Sequence, residues 1–122
     1  MGFAETLNHI TERIEGCAAA IILGIDGIAI ERQIKDVDPL LDIDLIATEF
    51  TTLVRRNMRT ATDAEMGEVR EMVFVTDLLT LVLRPITPEY FLMLALNPSG
   101  NVGQARFELR KAQLAMETEF AI

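Results

Sequence analysis

Residues 18–32, AAAIILGIDGIAIER, constrain the fold more than any other part of this chain. Two short apolar runs flank Gly24-Ile25-Asp26-Gly27. Asp-Gly between such runs is a strong hairpin signal, because Gly accepts a positive φ. The first run, residues 18–23, is apolar on both pleat faces, so both faces must be covered. Helical patterns lie on either side, over residues 3–15 and 42–62. A hairpin buried on both sides and set between two amphipathic helices is a specific arrangement.

Phe3, Leu7, Ile10 and Ile14 recur at helical spacing and form one narrow stripe, after which Gly16 supplies a stop. Residues 33–40 form a polar, acidic connection containing Asp38-Pro39, where proline disfavours helix in the preceding residue. The second helix begins at Asp42, a good N-cap, with Asp44 in its first turn. Ile43, Ile46, Phe50, Leu53, Val54 and Met58 share its core face. This helix is expected to fray over residues 60–66 and end at Gly67.

Three more strands follow. Residues 68–75 alternate, with Arg70, Met72 and Phe74 on one side and Val69, Glu71 and Val73 on the other, as at a sheet edge or an interface. Residues 78–84 and 90–96 are apolar on both faces, which suits central strands. Asn97-Pro98-Ser99-Gly100-Asn101 breaks the last strand, and Asn101 caps a third helix. Val102, Ala105, Leu109, Ala112, Met116 and Phe120 form that helix's inward stripe. Phe107 and Leu114 lie off it, and either broaden the core contact or face a partner. The expected fold is α+β: one domain over residues 1–122, with a five-stranded antiparallel sheet sandwiched by helices in the order α-β-β-α-β-β-β-α.

At 122 residues the chain can bury about two-thirds of its unfolded surface. The net charge of −8 argues against nucleic acid and against anionic lipid. No apolar run approaches the ~20 residues of a membrane helix, and no basic-then-apolar leader opens the sequence. Met1-Gly2 with Thr6 matches an acylation pattern in form, but that pattern is short and often met by chance. Cys17 reads as a buried thiol of a reducing compartment, and the expected location is the cytoplasm.

Catalytic and metal motifs are absent from the sequence. His9 and Glu12 stand one turn apart without a third ligand. Asp36, Asp38, Asp42 and Asp44 lack the glycine and closing Glu of a calcium loop. Gly100-Asn101-Val102-Gly103 has neither the Lys nor the spacing of a phosphate loop. The chain is therefore not expected to be an enzyme, and no cofactor or metal is expected.

Three segments together resemble a known family. They are the first helix running into Gly16, the hairpin with Asp26-Gly27, and the run NVGQARFELRKA at residues 101–112. The chain is similar to the Roadblock family of dynein light chains, in the prokaryotic branch that includes mutual-gliding protein B. The resemblance spans essentially the whole chain. It implies a homodimer formed by edge-to-edge pairing of third strands with second helices side by side, here through Phe50, Arg70, Met72 and Phe74. It also implies a docking platform for a small Ras-like GTPase or a motor subunit.

Arg55, Arg56 and Arg59 are the notable cluster, and with Leu41, Leu45, Thr48 and Thr52 they form the face of helix 2 opposite its core stripe. Such a face suits docking of acidic switch regions, because Arg bonds carboxylates bidentately. The plainer reading is cations near a helix C-terminus, favoured by the macrodipole. An arginine supplied in trans to the GTPase would use the same residues, but relatives act by rearranging the GTPase's own groups. The expected function is thus a homodimeric scaffold that binds, and conformationally regulates, a small Ras-like GTPase. The alternative is an adaptor subunit of a motor, signalling or secretion complex with no GTPase involved.

Overall fold

Asp26-Gly27 makes the turn it announces. Gly27 takes φ +88°. The Asp26 carboxylate accepts from the Ile28 N–H at 3.0 Å, and the Gly24 N–H donates to the Ile28 carbonyl at 2.9 Å. This turn joins β1 (Cys17–Gly24) to β2 (Ala29–Ile34) in a computed structural model that describes residues 2–120. The acylation pattern begins at Met1, outside the described residues. The remaining elements are α1 (Phe3–Arg13), α2 (Ile43–Asp63), β3 (Met72–Val75), β4 (Thr80–Pro85), β5 (Tyr90–Leu96) and α3 (Val102–Phe120).

The five strands form one antiparallel sheet in the order β2-β1-β5-β4-β3. Alternating residues divide the core in two. Ala20 and Ile22 of β1, Val82 of β4 and Leu92, Leu94 and Leu96 of β5 pack against α1 and α3. Ala19, Ile21 and Leu23, with Leu81, Leu83, Phe91 and Met93, pack against α2. The sheet is thus sandwiched by helices, and β1, β4 and β5 are buried on both faces as their composition requires.

The second half of the hairpin departs from that rule. β2 pairs only with β1 and forms one edge of the sheet, so Ile28, Ile30 and Ile34 are exposed. Its Arg32 reaches across to α2, where it pairs with Asp44. Helix boundaries shift as well. α1 stops at Arg13, because Ile14 turns to extended geometry. α2 stays helical through Asp63, and its N-cap Asp42 accepts from the Asp44 and Leu45 N–H groups, each at 3.1 Å.

The end of α1 and the start of α3 are stitched together. The Asn97 N–H donates to the Gly16 carbonyl at 2.8 Å, and the Asn101 N–H to that of Glu15 at 3.2 Å. The Gln104 amide donates to the Arg13 carbonyl at 2.7 Å and accepts from the Glu15 N–H. Asn101 caps α3 by accepting from the Gln104 N–H at 3.0 Å. Phe120 closes the other end of this layer, stacked between Phe3 and Tyr90 at 4.8 and 4.5 Å. Among the described residues no helix is long and apolar enough to cross a membrane.

Cys17 lies in this core, and burial pushes its thiol up to about 11. The folded state therefore holds the thiol proton more tightly than the unfolded chain does. The resulting stabilisation is present below about pH 8.5, the ordinary thiol value, and is lost as pH rises towards 11. At pH 8 the native protein should leave a disulfide-exchange reagent unreacted, while the urea-unfolded chain titrates one thiol. Rapid stoichiometric reaction of the native chain would refute the burial.

Candidate interaction surface on helix α2 and strand β3

α2 lies across the sheet on its smaller residues. Ile43, Ala47, Thr51, Val54 and Ala61 are buried beneath it, and the Thr51 hydroxyl donates to the Ala47 carbonyl at 2.7 Å. Ile46, Phe50, Leu53 and Met58, expected in the same core stripe, are only half-buried. Ile46, Phe50 and Met58 flank this row and pack half-buried against the same core.

The opposite face carries the residues assigned to it except Leu41, which precedes α2 and packs half-buried against the core. Leu45, Thr48, Thr52, Arg55, Arg56 and Arg59 are all exposed. Thr52 and the three arginines border a shallow hollow of about 240 Å³. Among the described residues no carboxylate lies within ion-pairing distance of these arginines. The three are nevertheless not equivalent. Arg55 donates through Nη1 to the Ile25 carbonyl at 2.9 Å, tying α2 to the β1–β2 turn. Arg56 and Arg59 project from the helix surface. The macrodipole reading fails here: α2 continues through Asp63 and its last turn holds no basic residue, while dipole stabilisation fades within that turn.

β3 forms the second edge of the sheet. Phe74 and Phe50 meet edge-to-face at 4.9 Å, and the Asn57 amide approaches the Met72 sulfur at 3.6 Å. Phe50, Met72 and Phe74 therefore come together. Arg70 lies outside the strand, because β3 begins at Met72 and residues 68–71 are not strand. The register explains the shortfall. Met72 faces Leu83, so continued pairing would set Arg70 opposite Pro85, which has no N–H to give. Glu71 instead turns its carboxylate to Arg84 and Arg106.

The structure adds an apolar groove of about 400 Å³ between α2 and the β3–β4 turn, lined mainly by Leu41, Ile46, Phe50, Leu78, Leu79 and Leu81. Leu78 was expected inside a strand but sits in the turn, 57% exposed. Thr76 shapes that turn, pairing its N–H with the Leu79 carbonyl at 3.0 Å. The signal available in the sequence was a pair of Leu-Leu doublets, 40–41 and 78–79, beside turn residues.

The MglC protein from Myxococcus xanthus has the same fold with a TM-score of 0.70 and is 30% identical, over 98% of this chain and 99% of that one. The Roadblock/LC7 domain from Streptomyces avermitilis superposes with a TM-score of 0.85 at 15% identity, each chain fully covered. This chain belongs to the Roadblock/LC7 family. A third relative in structure, an MglB with a tetrameric arrangement, reaches a TM-score of 0.83 at 16% identity, over 97% of this chain and 88% of that one. No protein-family model and no curated protein matches the sequence. In Roadblock/LC7 terms, the element order α-β-β-α-β-β-β-α is as the resemblance implied.

Proposed function

We propose that this Roadblock-type scaffold is a homodimer that binds a small Ras-like GTPase through the outer face of α2. The observation that carries the reading is the pair Arg56 and Arg59. Both are exposed and neither is neutralised by a described carboxylate, in a chain of net charge −8. Unsatisfied guanidinium groups on an acidic protein attract acidic loops and orient them by bidentate bonds. Edge strand β3 supports self-association. Its Val73 and Val75 are exposed, Met72 and Phe74 are half-covered, and a second copy pairing along that edge would protect it.

Such a scaffold contributes no reacting group. It raises or lowers turnover by holding the GTPase's switch loops, so that the GTPase's own residues meet the phosphates or are kept from them.

The test measures binding of the Ras-like GTPases of the source organism, loaded with a GTP analogue, with light scattering run in parallel. The wild-type protein is expected at twice the chain mass and bound to a GTPase. Arg56→Glu/Arg59→Glu should remain dimeric and lose about 30-fold in affinity, which corresponds to ~2 kcal/mol. Arg55 is left in place because it holds the hairpin turn. A monomeric wild-type protein overturns the dimer, and full binding by the variant overturns the docking face. If no GTPase binds at all, an adaptor role replaces this reading.

A further inference from the structure

Helix α3 presents a second surface, on the side of the sheet opposite α2. Its inward stripe is complete: Ala105, Leu109, Ala112 and Met116 are buried. On the reverse side Phe107 is 53% and Leu114 67% exposed. These two side chains stand seven residues apart, about 10 Å along the helix axis. Arg110 and Lys111 lie one turn from each, on the same side. The Lys111 ammonium sits 5.1 Å from the centre of the Phe107 ring.

The positions along the middle of this face carry no carboxylate, and exposed Glu117 lies at its margin. Positions 103, 107, 110, 111, 114 and 118 are Gly, Phe, Arg, Lys, Leu and Thr, in a chain with 19 acidic and 11 basic residues. The nearest acidic side chains are turned aside. Glu108 is buried between Arg13 and Lys111, and Glu117 accepts from the Gln113 amide at 2.9 Å.

We propose that the outer face of α3 docks an acidic amphipathic helix of another protein. Phe107 and Leu114 are its apolar anchors, and Arg110 and Lys111 the contacts to flanking carboxylates. Two anchors seven residues apart match the repeat along one side of a helix packed lengthwise on α3. A second copy of this chain does not fit, because two-fold pairing would set Arg110 and Lys111 against their own copies. An anionic membrane is disfavoured by the charge of the rest of the molecule.

The experiment installs a benzophenone amino acid in place of Thr118, which leaves both anchors intact, and maps light-induced adducts of the full chain in its native cells by mass spectrometry. The expected adduct is a helical segment of a different protein, acidic overall, with apolar residues at seven-residue spacing. Arg110→Glu/Lys111→Glu and, separately, Phe107→Ser/Leu114→Ser should each lower its yield by about tenfold or more. Both exposed-site variants should keep the wild-type melting temperature. Arg56→Glu/Arg59→Glu, on the other side of the sheet, should leave the yield unchanged, which separates this surface from the α2 face. A lipid adduct, an adduct to a second copy, an adduct to a basic or uncharged segment, or no adduct at all overturns the proposal.

Discussion

Gly16→Ala is expected to destabilise the protein by about 3 kcal/mol, lowering the melting temperature by roughly 10 °C. Gly16 takes φ +77°, where a side chain costs about 1–2 kcal/mol. An added Cβ would lie 2.5 Å from the Gly100 Cα and 2.9 Å from its nitrogen. Those are backbone atoms held by the bonds joining α1 to α3, so they cannot swing aside as a flexible side chain would. Gly27→Ala is the control. Its φ is +88°, but nothing lies within 4 Å of an added Cβ, so only the conformational cost of about 1–2 kcal/mol applies. Urea melts of both variants isolate the steric contribution. Equal losses would show that the Gly16–Gly100 approach yields easily.

Glu71→Ala is expected to cost about 3 kcal/mol, because it strands a guanidinium. Glu71 accepts from Arg84 Nη1 at 3.1 Å, and the two side chains are only 13% and 11% exposed. Arg84 also donates to Gln113, so removing the carboxylate leaves a partly satisfied, nearly buried cation between β4 and α3. Arg106, the second partner of Glu71, is half-exposed and screened by water, so Arg106→Ala should cost far less than Glu71→Ala. Glu71→Leu/Arg84→Met should recover most of the loss, since replacing both members of a buried pair is far milder than removing one. A double-mutant cycle by urea denaturation checks this. The account fails if Glu71→Ala loses less than Arg106→Ala.

Each strand's burial was legible wherever composition decided it. Residues 18–23, 81–83 and 91–96 contain almost nothing that tolerates water on either pleat face, so central positions were the only outcome. Gly27 and Asn101 were readable for a related reason, since a positive φ and a helix N-cap are met by few residue types. β3 was overextended because alternation in residues 68–71 is a local pattern, whereas pairing depends on the opposite strand. There the partner is Pro85, more than ten positions away in sequence.

On α2, the apolar stripe marked Ile43 and Val54, which are buried, but Ile46, Phe50 and Leu53 are only half-buried while Ala47, Thr51 and Ala61 are covered.

The surfaces divide in the same way. That Arg55, Arg56 and Arg59 lie away from the core follows from helical period alone, whereas the period left Phe107 and Leu114 open and the structure exposes them. The sequence by itself thus determined the element order, the doubly covered strands and the helix faces that water reaches. These depend on backbone period and on the transfer cost of apolar side chains, both local properties. Only the tertiary structure decided that Arg55 is held by the hairpin turn, that Glu71 locks β4 to α3, and that Leu78 opens a groove beside Phe50. Those outcomes depend on which distant segments meet, and a pattern read along one segment carries no record of the groups that will face it.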